Sequence, residues 1–283
     1  MNEPTIGERR DTRAAATSPR DGFEIHEERG VHVLVINRPR RRNALTREVR
    51  LDLADWLRRA GDGPDARPLV IASRESAFSA GQDLSEAKDF EPEYITAWIE
   101  EHMSLYRAIL SYPRPVLAAV DGCCVGAGLQ MALLCDLRIG SPESFFAMPE
   151  LEDAIPCILG VWALWDVIGR GRTTEMVLTN RRVYADEALQ WGLLNQIQPA
   201  GKLLERTVDL ALDMAAKPAL AFRLTKDRLR LLALQEEEAL AVHASYAHTA
   251  AFASGQPRQK MQEFLDQGRP VVKASREAMP GDR

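Results

Sequence analysis

Glu150 and two glycine-containing turns are the residues of this chain best suited to carry chemistry. The first turn lies in Phe78-Ser79-Ala80-Gly81-Gln82-Asp83. The second lies in the run from Asp121 to Asp136, around Gly126-Ala127-Gly128, and Met148-Pro149-Glu150 follows it. Each turn comes after an apolar strand and opens a helix, which frees backbone N–H groups to face a developing negative charge. As a pair they read as an oxyanion hole, with Glu150, twenty residues beyond Gln130, as the attendant base. Taken alone, either turn is also an ordinary strand-to-helix connection and Glu150 a solvated glutamate. The order of all three carries the reading.

The elements needed to position these groups are legible in the hydrophobic pattern. Residues 23–28 alternate and residues 31–36 are mostly apolar, with Gly30 between them, so a β-hairpin is expected. Asn43 to Leu57 has apolar residues at helical spacing (Leu45, Val49, Leu53, Trp56 and Leu57), with Thr46 as N-cap. Arg67 to Ser73 reads as a buried strand, Glu93 to Ser111 as a helix and Pro115 to Val120 as a second buried strand. Gly126 to Leu134 is then a helix and Asp136 to Ser141 a strand. Short strands separated by helices imply parallel crossovers and a sheet covered on both faces. After about Lys202 no strand signal remains, and helices are expected over 203–216, 218–234, 236–254 and 257–268. The expected organisation is a disordered leader (1–22), an α/β core (23–201), a C-terminal helical region (202–273) and a tail (274–283).

Composition bounds the rest. The 283 residues are 46% apolar and 27% charged, an ordinary globular balance, and the net charge of −5 argues against a nucleic-acid role for the whole molecule. The longest apolar run, Val116 to Cys135, is broken by Asp121, Gln130 and glycines, so no membrane span is expected. No apolar signal segment is visible in residues 1–22, and Cys123, Cys124, Cys135 and Cys157 lack metal-ligand spacing. Buried thiols in a reducing cytoplasm, and no bound metal, are the expectation.

Five segments resemble the enoyl-CoA hydratase/isomerase (crotonase) superfamily: INRPRRRNAL (36–45), FSAGQDL (78–84), the stretch 114–141 from RPVLAAV to CDLRIGS, AMPE (147–150), and IGRGRTTEMVLTNRRVYADEALQWGLLNQI (168–197). The resemblance covers roughly Phe23 to Leu265. It implies a crotonase-type ββα spiral with two roughly perpendicular sheets and a C-terminal helical oligomerisation region. A homotrimer or dimer of trimers is implied with it, as is an acyl-CoA substrate with no cofactor beyond that coenzyme A. The enolate oxygen of the thioester would be held by the backbone amides of Gln82 and Ala127, each worth ~3 kcal/mol or more. Gly81 and Gly126 would let the backbone approach the ligand, as would Gly128. Arg38 and Arg40, with Arg41 and Arg42, would meet the coenzyme A phosphates, and the Ala80 backbone its adenine. Each arginine also fits a solvated, Arg-rich turn.

Glu150 matches the family's general acid/base, and its apolar neighbours Phe145, Phe146, Met148 and Ile155 should raise its pKa toward working pH. Gln130 stands where true hydratases carry a second glutamate. It can hold a water but cannot take its proton. Isomerisation of an enoyl-CoA, or a related enolate reaction with one carboxylate, is therefore the expected activity. Hydration of a 2-enoyl-CoA, with Gln130 orienting the water, is the alternative. Glu86, Glu152 or Asp153 could replace the missing acid, whereas Asp83 and Asp136 read as turn or helix-end residues and His102 as structural. Beyond Glu150 the family's Gly-rich run is replaced by bulky residues from Ile155 to Trp162, with Gly160 kept, which suggests an apolar or unusually shaped acyl group.

Other classes fit less well. A dinucleotide fingerprint starting at Gly126 would need glycine at Met131, and no Gly-x-Ser-x-Gly elbow is present. An RNA-binding or non-catalytic family member using Arg38 to Arg50 is opposed by Asp52 and Asp55 on the same helix.

Overall fold

The structure, a computed structural model, describes residues 22–63, 66–75 and 77–267. Residues 1–21 of the expected leader, the end of the expected helical region from 268 and the expected tail (274–283) lie outside the described residues. Ten strands and ten α-helices are described. The larger sheet runs in the order β1 (Phe23–Glu28), β2 (Val31–Ile36), β3 (Leu69–Ser73), β5 (Val116–Val120), β7 (Leu137–Gly140), β10 (Gln196–Ile197). Only the β1–β2 hairpin in this sheet is antiparallel. The smaller sheet is β4 (Ala77–Ser79), β6 (Cys123–Val125), β8 (Phe145–Ala147), β9 (Val183–Tyr184), with the last pair antiparallel. Each β-β pair, β3-β4, β5-β6 and β7-β8, thus places one strand in each sheet before its helix. This is the repeated ββα unit of the crotonase fold.

Period-two alternation explains why the larger sheet is buried on both sides. Leu69 and Ile71 enter one core with Leu34, Ile36, Val116 and Ala118, together with α1 (Arg47–Asp62) and α3 (Ile95–Leu110). Val70 and Ala72 point the other way and join Val31, Val33, Leu117 and Ala119 against Leu203, Val208 and Ala211 of α7 (Ala200–Ala215). The remaining helices are α2 (Leu84–Ala87), α4 (Ala127–Leu133), α5 (Ile158–Thr179), α6 (Ala185–Trp191), α8 (Ala219–Ala233), α9 (Glu237–Ala253) and α10 (Gln256–Gln267).

The expected elements are present with shifted ends. Helix α1 starts at Arg47 with Thr46 as the expected N-cap, accepting from the Val49 N–H, and the apolar run from Asn43 before it is not helical, Asn43 being left-handed at φ 55°. Asn43 is fully buried instead, donating to the carbonyls of Arg74 and Ala77. A 3₁₀ turn, Pro92–Tyr94, occupies the expected start of α3. Helix α5 is broken at Gly169, where φ 75° and ψ 167° interrupt the helical path.

Candidate active site

Gly81 and Gly126 bring the two turns together. Gly81 has φ 88°, and a Cβ there would stand 2.7 Å from the Val125 carbonyl oxygen and 3.2 Å from the Ala127 nitrogen. Only glycine combines that conformation with so close an approach. On one side, Leu45 N–H donates to the Gly81 carbonyl and Asp83 N–H donates to the Leu45 carbonyl. Because successive groups in an extended segment alternate sides, the intervening Gln82 N–H is turned away from Leu45. Gly126, at φ 52° and ψ −126°, donates to the Ala147 carbonyl and accepts from Gln130 N–H. Ala127 is then the first residue of α4, and its amide lies in the turn where helical N–H groups have no internal partner.

The Gln82 side chain is clamped from behind. Its Oε1 accepts from Arg50 Nη1 at 2.6 Å and from Trp98 Nε1 at 3.1 Å. Arg50 is fully buried on α1 and bonds Glu101 at 3.2 Å, and Glu101 also accepts from Arg47 and the Tyr94 hydroxyl. Burial lowers the Arg50 pKa and the surrounding carboxylates oppose that shift.

Glu150 opens a 3₁₀ turn (Glu150–Asp153) just beyond β8, and its Oε1 accepts from Gln130 Nε2 at 3.0 Å. Oε1 of the same Gln130 accepts from the Tyr106 hydroxyl at 2.6 Å. Burial, followed by the charge of Glu150, pushes the ionisation of the Cys157 thiol far up. Glu150, Gln130 and Cys157 line a cavity of ≈ 60 Å³, with Tyr106 behind Gln130 and outside the lining. Gln82, Ala127, Gln130 and Glu150 are all in the lining, together with Trp98, His102 and His248. Ile155 to Gly160 supply its apolar wall. A Cβ at Gly160 would fall 2.4 Å from Cys157 Sγ and 3.1 Å from Met148 Sδ, so those side chains would have to shift to admit one.

The structure therefore brings Gln82, Ala127, Gln130 and Glu150 to one cavity. Among the described residues, Glu150 is the one carboxylate in the lining. Glu86 accepts instead from the Arg47 N–H and from Gln82 Nε2. Glu152 is exposed and Asp153 buried on the 3₁₀ turn, neither of them in the lining. Asp83 caps α2 through Ser85, and Asp136 accepts from the Val116 N–H and from Lys226. Arg38 is tied to the Ala44 carbonyl and to Asp83, whereas Arg40, Arg41 and Arg42 are exposed. Ala80 N–H donates to the Arg42 carbonyl. All four cysteines are free and buried, and among the described residues no cluster is arranged to hold a metal.

Sequence reasoning missed Trp98, Tyr106 and His248, and it placed His102 in a structural role without locating it. A signal existed for three of them. Trp98, His102 and Tyr106 are spaced i, i+4, i+8 on α3, one stripe of a helix facing one neighbour. His248 arrives from α9, 98 residues beyond Glu150 (248 minus 150), and nothing local announces it.

The family model for enoyl-CoA hydratase/isomerase matches residues 26–275. The chain belongs to that family. Among enoyl-CoA hydratase/isomerase relatives, it is 32% identical over 224 residues to a carboxymethylproline synthase of Pectobacterium carotovorum, covering 78% of this chain and 90% of that one. It is 30% identical over 207 residues to the 2,3-dehydroadipyl-CoA hydratase of Escherichia coli, covering 73% and 80%. An enoyl-CoA hydratase structure from Mycobacterium avium subsp. paratuberculosis superposes with a TM-score of 0.78 at 27% identity, over 87% of this chain and all of that one. Among the described residues of this family member, no helix is long and apolar enough to cross a membrane.

Proposed function

We propose that this cavity forms the enolate of an acyl-CoA thioester with Glu150 as its single acid/base, in isomerisation of an enoyl-CoA or a related enolate reaction. The observation that carries the reading is Gln130, an amide bonded to Glu150 at 3.0 Å where a hydratase would hold a second carboxylate. In isomerisation Glu150 takes the C2 proton of a 3-enoyl-CoA. The charge moves to the thioester oxygen under the Gln82 and Ala127 amides, and the proton returns at C4. The step needs no metal or redox group. Arg40 and its exposed neighbours would meet the coenzyme A phosphates beside the Ala80 backbone.

The carboxymethylproline synthase relative favours a second enolate outcome. Making a carbon–carbon bond of that kind calls for a carbon nucleophile, and the same enolate would supply one. Hydration remains the alternative, supported by the relatives' names and opposed by the chemistry of Gln130. Four free thiols support a reducing cytoplasm. Exposed leucines on α8 support self-association, as a trimer or dimer of trimers.

Assay on 3-enoyl-CoA against 2-enoyl-CoA plus water separates isomerase from hydratase. Glu150→Gln should abolish turnover with acyl-CoA binding nearly intact, and retained turnover would sink the assignment of the base.

A further inference from the structure

The residue that replaces the second carboxylate is itself held from behind. A carboxamide has one accepting end and one donating end, so the partner of the first decides what the second side meets. Tyr106 donates to Gln130 Oε1 at 2.6 Å, which leaves Nε2 to face Glu150 Oε1 at 3.0 Å. Tyr106 is fully buried, with its ring stacked on Trp162 at 6.3 Å between centroids. Burial pushes its phenol far up, so it stays a neutral hydroxyl. Beyond it, His102 Nδ1 lies 3.3 Å from the same oxygen, and burial keeps that imidazole neutral.

We propose that Tyr106 is a positioning residue: it fixes the orientation of the Gln130 carboxamide so that Glu150 always meets an N–H donor and is kept ready to accept a proton. The inference rests on the reading of Glu150 as the base. An N–H donor favours the carboxylate form and a carbonyl oxygen favours the acid form. Without the hydroxyl the carboxamide is free to turn over and present its oxygen. Removing that hydroxyl also takes away the 3.3 Å partner of His102 Nδ1, and the other groups around Glu150 keep their contacts. The Cys157 thiol at the start of α5, His102 and His248 line the same cavity. Glu152 and Asp153 share its turn. On α10, Arg258 is paired with Glu91 and Lys260 with Glu263. Arg50 lies behind Gln82 and pairs with Glu101.

The sign follows directly. A reversed amide stabilises protonated Glu150, so the base ionises at higher pH and the rate at low pH falls.

Exchange of the C2 protons of butyryl-CoA with D₂O, followed by NMR from about pH 5 to about pH 9 on the full chain, reads the base without committing to a final product. Tyr106→Phe keeps the ring and its stacking. It should move the acid limb up by about one pH unit, roughly tenfold slower exchange below that limb, with a smaller loss on the high-pH plateau. Gln130→Leu should give the same shift, and adding Tyr106→Phe to it should add nothing further. An unmoved acid limb in Tyr106→Phe, or a full second shift in the double variant, overturns the inference. Exchange surviving in Glu150→Gln, or absent from the wild-type chain, would instead refute the reading of the site on which it rests.

Discussion

At position 130 an amide and a carboxylate differ by one proton-accepting group, and water addition needs that group twice, to activate the water and to protonate the α-carbon. Gln130 supplies a donor to Glu150 and an acceptor to Tyr106, and so joins the site as wiring rather than as an acid. Gln130→Glu would set two carboxylates within hydrogen-bond reach, where one holds a proton at neutral pH. It is expected to raise hydration of 2-enoyl-CoA above the parent, read as loss of the enoyl absorbance; an unchanged rate would remove the weight placed on this residue. Gly81 is the second sensitive position. A methyl group there meets the Val125 carbonyl at 2.7 Å on a backbone at φ 88°, so Gly81→Ala should displace the Gln82 amide. Loss of one oxyanion donor predicts a fall in kcat of roughly 10²-fold or more. A Gly81→Ala enzyme with parental kcat would show that the amide is not used.

Helices rather than strands close the cavity, and α3 and α9 meet around it. Phe252 of α9 packs on Trp98 at 5.9 Å and Phe90 at 6.5 Å between centroids. Phe252→Ala should cost ~3 kcal/mol or more, measured as a lower urea midpoint. A change below about 1 kcal/mol would mean that α9 is held elsewhere. The long elements were legible in the sequence because each repeats its period several times, as in the apolar residues of α1. The smaller sheet was not legible residue by residue: β4, β6 and β8 have three residues each, too few for alternation to register. The resemblance supplied their existence. Within the site, Glu150 and the two turns stood out because glycine and carboxylate at fixed spacing leave a local mark. Tyr106 and Arg50 did not, since their roles depend on partners 24 and 32 residues away along the chain. Arg50 had been grouped with a basic surface, but it lies wholly inside.

For the whole molecule, two histidines link stability to pH. Burial holds His102 well below its ordinary value and lowers His248 despite its bonds to the Ala244 and Pro156 carbonyls. The unfolded chain binds protons at both below about pH 6.5 and the folded chain does not. Stability is therefore complete above that pH and is lost as pH falls toward the folded-state values, by up to about 1.4 kcal/mol per pH unit for each histidine. Urea titrations at several pH values should show the decline, and His102→Gln should reduce its slope; a flat profile would contradict it. Leu220, Leu224, Leu229 and Leu231 of α8 are exposed, as are Val242 and Tyr246 of α9. If they join copies of the chain, Leu224→Glu with Leu231→Glu should lower the mass found by sedimentation, and an unchanged mass would place the interface elsewhere. The position of His248 in the cavity wall has a consequence in time. A ribosome delivers both turns, the larger sheet and Glu150 well before α9 emerges. A chain stalled before that helix lacks part of the cavity wall, so the cavity is complete only once α9 has been made.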